Sequence, residues 1–454
     1  MWLPIIGAMR FKPCPHLAGR QPLDVLAAWP RQTPVAALHS HPATGGRWSV
    51  LTLPDGVLEV GGAAGRWIGP GDPDLEHAAS RGLSEAAGLV DRLTRDHTAS
   101  SDTPPFAGWI ACLPYELGGV LEPACGTAAK GAAASFLRCH DAYLHDALTA
   151  QWWTLGTPPD LDWGQKRPEP LRACSPLRSV PDPDRWVEAV ATAIEYIRAG
   201  DIFQVNLCRR LRANVRGNSR ALALTALHEP QTAFGAYIEF PGTDRTVVSM
   251  SPELFLQVDH RRHIRSCPIK GTLPASEPAN RLEASEKDAA ELHMIIDLMR
   301  NDLGRVCQLG SVRVECARRI ESHPTVHHGV GEVHGVLRSE VGLLELLKAT
   351  FPAGSITGAP KIRAMQIAEE LEDGPRGMYC GAIGMLGPAG SVDLSVAIRT
   401  ATIEDGVLHY GVGCGIVADS DPHLEFTESE TKADVLRNAL ACRTGSGQRL
   451  VPLH

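Results

Sequence analysis

No CxxC pair and no Cys/His cluster at zinc-ligand spacing occurs in the 454 residues, although twelve cysteines are scattered along them. That excludes the common structural zinc modules, and dispersed thiols fit a reducing compartment. Nowhere does an apolar run approach the roughly 18–20 residues of a membrane-spanning helix, so no membrane association is expected. The opening MWLPIIGAMRFKP has neither a basic leader nor a long apolar run, the marks of a secretory signal. A cytoplasmic protein is expected. Lys and Arg (44) are outnumbered by Asp and Glu (52), a formal net charge of −8, which argues against nucleic acid as a partner. Fixed-period repeats and long low-complexity tracts are absent as well.

What is present is ordinary globular composition, 44% hydrophobic and 21% charged, in a chain long enough to bury a sizeable core. The stretch Thr157 to Asp184 is rich in Pro, Arg and Asp and reads as a linker or long surface connection. It separates a region 1–160 from a region 180–442. Before it, Ala36–Ser40 and Trp48–Thr52 read as strands. After it, Trp186, Val190, Ile194 and Ile197 recur at helical spacing over Asp184–Arg198. Thr246–Met250 reads as a strand. Further helices are expected from about Glu283 to Val306 and from about Phe426 to Cys442. Strands and helices without a regular βαβ rhythm suggest an α+β protein built on large, mostly antiparallel sheets.

Two helices carry paired acids. Asp288 and Glu291 stand three apart, on one helical face, in line with the apolar Ile295 and Met299. Glu425 and Glu428 repeat the spacing, with Lys432 one turn on and Val435, Leu436 and Ala439 continuing the face. Each pair alone is compatible with a solvated helix face, and Glu428–Lys432 with a common i,i+4 surface pair. If the two helices meet, four carboxylates form an oxygen-only site suited to Mg²⁺. Periodicity does not say whether they meet. Elsewhere, Pro268-Ile269-Lys270-Gly271-Thr272 followed by Leu273-Pro274 has the punctuation of a loop or tight turn. In YGVGCGIV, a nucleophile elbow around Cys414 would need Gly at 412 and 416, which are Val and Ile.

Six ordered stretches resemble the chorismate-utilising enzymes: GDIFQVNL (Gly200–Leu207), SPELF (Ser251–Phe255), PIKGT, IIDLMRNDLGRV (Ile295–Val306), FPAGSITGAPK (Phe351–Lys361) and GCGIVADSDPHLEFTESETK (Gly413–Lys432). The N-terminal region, with ALHSHP at Ala37–Pro42, is similar to that family's N-terminal part more weakly. The resemblance implies one complex α/β fold of the anthranilate synthase component I type, with regions 1–160 and 180–442 packed as one unit. It implies Mg²⁺ held by Glu291 and Glu428, with Asp288 and Glu425 acting through waters. Asp288 departs from the glutamate frequent in relatives.

The same resemblance gives roles to further residues. Glu253 matches the general acid that protonates a departing hydroxyl, a role that needs a raised pKa. Arg399 matches the arginine that grips the enolpyruvyl carboxylate, a task suited to its planar fork. Tyr379, His328, Ser355, Thr357, Thr272, Lys432 and Gly415 match positions around the substrate. Gln204 stands where water-using relatives carry a lysine. A glutamine amide is no general base near neutrality, so ammonia is the expected nucleophile. Lys270 stands where relatives aminating C2 usually read alanine and those aminating C4 usually read lysine. It is the expected covalent nucleophile.

The resemblance thus implies the aminodeoxychorismate synthase component I branch: chorismate plus ammonia to 4-amino-4-deoxychorismate, on the path to 4-aminobenzoate and folate. No glutaminase motif is visible, so a glutamine amidotransferase subunit is the expected ammonia source. The alternatives are anthranilate synthase component I and a non-catalytic, tryptophan-binding regulatory protein. A bound tryptophan is suggested by the Leu38-His39-Ser40 stretch, although His39 stands where feedback-inhibited relatives often carry a glutamate.

Overall fold

A computed structural model describes residues 11–40, 46–97, 104–126, 133–228 and 232–441. Residues 1–10, His41, Pro42 and Cys442, on which parts of the sequence reading rest, lie outside the described residues. The described strands form two sheets, of 13 and 11 strands, and every pairing between named strands is antiparallel. This is the expected α+β architecture.

Both sheets draw strands from both sides of residues 157–184. In the first sheet, Ala36–Ser40 pairs with Phe234–Glu239, Leu38 opposite Ala236. In the second, Trp109–Leu113 pairs with Gly381–Leu386, Cys112 opposite Ile383. Side chains alternate between faces with the strand period of two. Ala236 and Ile238 therefore turn toward the second sheet, where they join Val57, Ile110, Leu137 and Ile383 in a core between the sheets. Tyr237 turns outward to Leu26, Leu222 and Leu436. Those three belong to helices Pro22–Ala28, Ser219–Ala226 and Pro422–Ala441, which cover the first sheet. Helices Leu83–Arg95, Glu286–Gly304 and Leu343–Thr350 cover the second through Val90, Leu292, Ile295, Met299 and Leu347.

Three expectations needed correction. The helix expected from Glu283 begins at Glu286, after a separate turn Ala279–Glu283. Ser285 breaks the run. Its side chain accepts from the Asp288 amide, and as N-cap it sits at φ −73, ψ 104, outside the helical region. The helix expected from Phe426 begins at Pro422, because Asp421 accepts from the amides of His423 and Leu424, and proline suits the first helical position. The PIKGT stretch is not a turn: Ile269–Pro274 is a strand paired with Val326–Val336. The connection 157–184 contains two short strands, Arg172–Ala173 and Arg178–Val180, laid against Gln204–Arg216.

Candidate active site

The strand bearing Lys270 is bulged. Ile269 faces Val330 but Thr272 faces His328, so three steps on one strand oppose two on the other. A bulge re-aims a side chain and twists the strand locally. Gly271 supplies the required backbone at φ +82, where other residues are strained. A Cβ there would lie 2.9 Å from Asp288 Cγ, so glycine also lets the first turn of helix Glu286–Gly304 press against the strand. A second glycine completes the approach. A Cβ on Gly415 would lie 2.2 Å from Gln204 Nε2 and 3.2 Å from Lys270 Nζ. The amine of Lys270 and the amide of Gln204 therefore converge over bare backbone. Gln204 is buried, donates to Glu291 Oε2 at 3.4 Å, and its Oε1 has no partner among the described residues.

Glu253 and Arg399 stand where the chain crosses between the sheets, in opposite directions. Glu253 lies between strands Thr246–Ser251 and Leu254–Val258, and Arg399 between Val392–Ala397 and Thr400–Glu404. The two crossings are stitched nearby: Val396 N donates to Glu253 O, and Met250 N to Arg399 O, each at 3.1 Å. Arg399 holds φ +51, a conformation costing a non-glycine residue roughly 1 kcal/mol or more. Burial pushes the Glu253 carboxyl up to about 7, against the Ser355 hydrogen bond and the Lys270 charge. Ser355 Oγ donates to Glu253 Oε1 at 2.5 Å. Ser355 is held in the single turn Gly354–Ile356.

His328 faces Thr272 across the strand pair, with Oγ1 and Nδ1 3.0 Å apart. Burial, then the charge of Arg399, lowers its pKa to about 3, so the imidazole is neutral. Its Nε2 has no partner among the described residues. Tyr379 is buried against Gly411, where a Cβ would fall 2.1 Å from its ring, and burial keeps its phenol protonated. Thr357 is buried with its hydroxyl donating to Ala353 O at 3.1 Å, which leaves only a lone pair to offer a ligand.

The two acid-bearing helices lie near enough for their charges to act on one another: Glu425 on Glu291, and Lys287 on Glu428. Glu425 and Glu428 each offer an oxygen, and Cys414 its sulfur, with all three atoms within 4.8 Å of one another. Burial pushes the Cys414 thiol up to about 12, which leaves it protonated and the donor set oxygen-based. Glu291 and Asp288 lie outside that compact group. Burial raises the Glu291 carboxyl, opposed by Lys270 and Lys287 and reinforced by the like charges of Asp288 and Glu425. Burial also acts to raise Glu428, but Lys432, bonded to it at 2.8 Å, with Lys287 and Lys270 holds it below the usual range. Lys432 donates as well to Gly413 O at 2.9 Å. Glu425 is buried and accepts from Ser420 Oγ at 2.7 Å.

Lys287 was missed by the sequence reading. Its i,i+4 spacing to Glu291 was the available signal. A cavity of about 590 Å³ lies between the sheets, lined by Ser40, Trp48, Phe234, Pro252 and Ile269 among others, and holds none of the candidate residues. The eleven described cysteines are free thiols. Among the described residues, no helix is long and apolar enough to cross a membrane.

The chorismate binding enzyme family profile matches residues 73–438. Anthranilate synthase component 1 of Aquifex aeolicus is 41% identical over 264 residues, covering 57% of this chain and 53% of that protein. Aminodeoxychorismate synthase component 1 of Salmonella typhimurium is 40% identical over 252 residues, covering 54% and 55%. The chain is thus matched along about half the length of these curated relatives. The crystal structure of anthranilate synthase component I from Streptococcus pneumoniae superposes with a TM-score of 0.69 at 25% identity, covering 86% of this chain and 92% of that one.

Proposed function

The chain belongs to the chorismate-binding enzymes, and from that premise we propose that it aminates chorismate at C4, forming 4-amino-4-deoxychorismate for 4-aminobenzoate and folate synthesis. The observation that carries this reading is the bulge that directs Lys270 Nζ to the bare backbone at Gly415, beside Gln204. An amine in that position can form a bond to the ring. A glutamine beside it cannot activate water as a base.

In this scheme Lys270 Nζ, after its ammonium gives a proton to solvent, bonds to C2 as the C4–O bond breaks and the ring double bonds shift. Glu253 gives its proton to the hydroxyl, which leaves as water. Ammonia then bonds to C4 while the C2–N bond breaks, which releases Lys270. The new ammonium returns one proton to Glu253 and Lys270 regains its own from solvent, so the enzyme ends as it began. Arg399 binds the enolpyruvyl carboxylate. Neutral His328 and Tyr379, with Ser355, Thr272 and Thr357, bound the ring. The carboxylates of Glu291 and Glu428, with Asp288 and Glu425 beside them, fit a hard divalent cation: Glu425 and Glu428 offer oxygens within 4.8 Å of each other, and Glu291 is buried against the like charges of Asp288 and Glu425, which a cation would relieve. Bound Mg²⁺ would supply neutralisation of the ring carboxylate. A glutamine amidotransferase subunit would supply ammonia.

The test is product identity. Purified protein with chorismate, Mg²⁺ and ammonium chloride should yield 4-amino-4-deoxychorismate, and glutamine should replace ammonium only when the amidotransferase is added. Fluorescent anthranilate as the main product would favour the second reading, anthranilate synthase component I, which a relative of similar identity supports. No turnover would favour a regulatory, tryptophan-binding protein. The cavity lined by Ser40 and Trp48 is where tryptophan would sit, and mass spectrometry of the denatured protein would detect it.

A further inference from the structure

Behind the candidate site lies a buried charged cluster to which the scheme above gives no part. Arg376 is 6% exposed. Its guanidinium makes a two-point pair with Glu372, Nε to Oε2 at 2.9 Å and Nη2 to Oε1 at 2.6 Å. The remaining bonds go to backbone: Nη1 to Ile356 O at 3.0 Å and Nη2 to Asn206 O at 2.7 Å. Glu372 in turn accepts from Cys208 N at 2.9 Å. Glu116, also buried, accepts from the amides of Arg376 and Gly377 at 2.6 and 3.1 Å. The guanidinium lies 4.1 Å from the centre of the Tyr115 ring. Burying one cation and two carboxylates is costly unless every group is paired, and replacing such sets by apolar side chains is often neutral or stabilising. Its presence calls for a reason beyond stability.

The two carbonyls it holds suggest one. Ile356 lies between Ser355 and Thr357, and Asn206 lies two residues after Gln204. Arg376 adds its two bonds to the backbone bond Asn206 N to Thr357 O at 2.7 Å in joining the turn carrying Ser355 to the strand carrying Gln204, and it lies three residues before Tyr379. We propose that Arg376 is a positioning residue that acts through Ser355: by clamping Ile356 O to Asn206 O, it holds the Ser355 hydroxyl on Glu253. The inference rests on the reading of Glu253 as the acid. Lysine cannot substitute fully, because a single ammonium lacks the planar fork that reaches Glu372 and two carbonyls at once.

The test is a double-mutant cycle with Arg376→Met, Ser355→Ala and the pair, and with Arg376→Lys as a milder variant that retains a charge for Glu372. Arg376→Met should lower kcat by about 10²-fold, as loss of positioning near reacting groups does, with KM changed by less than about threefold. Ser355 lowers the Glu253 pKa, so loosening it should move the basic limb of the kcat profile to higher pH. Lys270 and the Ile269 amide face the same carboxylate and remain in every variant. On the Ser355→Ala background, Arg376→Met should cost about threefold or less and shift the limb no further. Additive effects, or a lowered Tm with kcat and limb unchanged in Arg376→Lys, would overturn the inference. Infrared titration of the Glu253 carboxyl, isolated by subtracting the Glu253→Gln spectrum, reads the same shift without turnover. A failed amination assay and a failed positioning role are therefore distinguishable.

Discussion

The two sides of the site are built from different elements and carry opposite electrostatic demands. On one side, helices Glu286–Gly304 and Pro422–Ala441 carry four carboxylates, of which Glu425 and Glu428 are clustered and Glu291 feels the charge of Glu425, opposed by Lys270, Lys287 and Lys432. On the other, strand crossings and a bulge present Arg399, neutral His328, Lys270 and a Glu253 poised to hold a proton. In the proposed scheme the helix side would hold the cation. The sheet side suits an organic anion and its proton transfers. A substrate with carboxylates at both ends would span this polarity. The division also says what should fail when either side is broken: metal dependence on one, product identity and pH dependence on the other.

The largest break is on the helix side. If Glu428 is the direct ligand proposed above, Glu428→Ala should abolish Mg²⁺-dependent turnover, a loss of roughly 10³-fold or more in kcat, and leave Lys432 to repel a cation. The check is a kcat measurement over a Mg²⁺ series; full activity would remove the metal assignment. On the sheet side, Glu253→Gln should cost about 10²–10⁴-fold, the usual range for a general acid. Wild-type kcat should fall as pH rises through about 7, since the acid works only when protonated, and this limb should vanish in the variant. Lys270→Ala is a break of kind more than of size. C4 amination should drop about 10²-fold while product amination at C2 rises as a fraction, resolved by chromatography. Unchanged rate and product would remove the covalent role.

The same contrast governs what could be read from sequence. The helix side was legible because a period of 3.6 places Asp288, Glu291 and Ile295 on one stripe, and the acids stand out on it. The sheet side was legible only through family resemblance, because no local pattern distinguishes Glu253 or Arg399 from a turn residue. PIKGT misled for a physical reason. Pro and Gly punctuate turns, but glycine at positive φ inside a strand makes a bulge, and the two carry the same letters. The break at Ser285 was readable in principle, since serine three residues before Asp288 is a capping signal. Arg376 left no trace, because the burial of an arginine depends on carbonyls from distant segments.

The smallest prediction sharpens the contrast within the helix side itself. Glu291 and Glu428 share a spacing and a supposed ligand, yet their carboxyls shift in opposite directions. For Glu291 the folded protein binds the proton more readily than the unfolded chain, so stability falls as pH rises from the unfolded pKa, near 4.3, through the higher folded one. Its ionised form costs stability at neutral pH in the absence of metal. For Glu428 the folded pKa is the lower, so its contribution is present above the unfolded value and lost as pH falls through the folded one. In EDTA at pH 7, Glu291→Gln should therefore raise Tm and Glu428→Gln should lower it. Each shift should be about 1–2 °C in a chain of this size. The second should be the smaller, because the Glu428 side chain is 56% exposed and its bond to Lys432 is screened by solvent. Added Mg²⁺ should raise the wild-type Tm and leave both variants nearly unmoved. If both variants moved the same way in EDTA, the two carboxylates would be electrostatically equivalent, and the asymmetry would have to be sought in the cation alone.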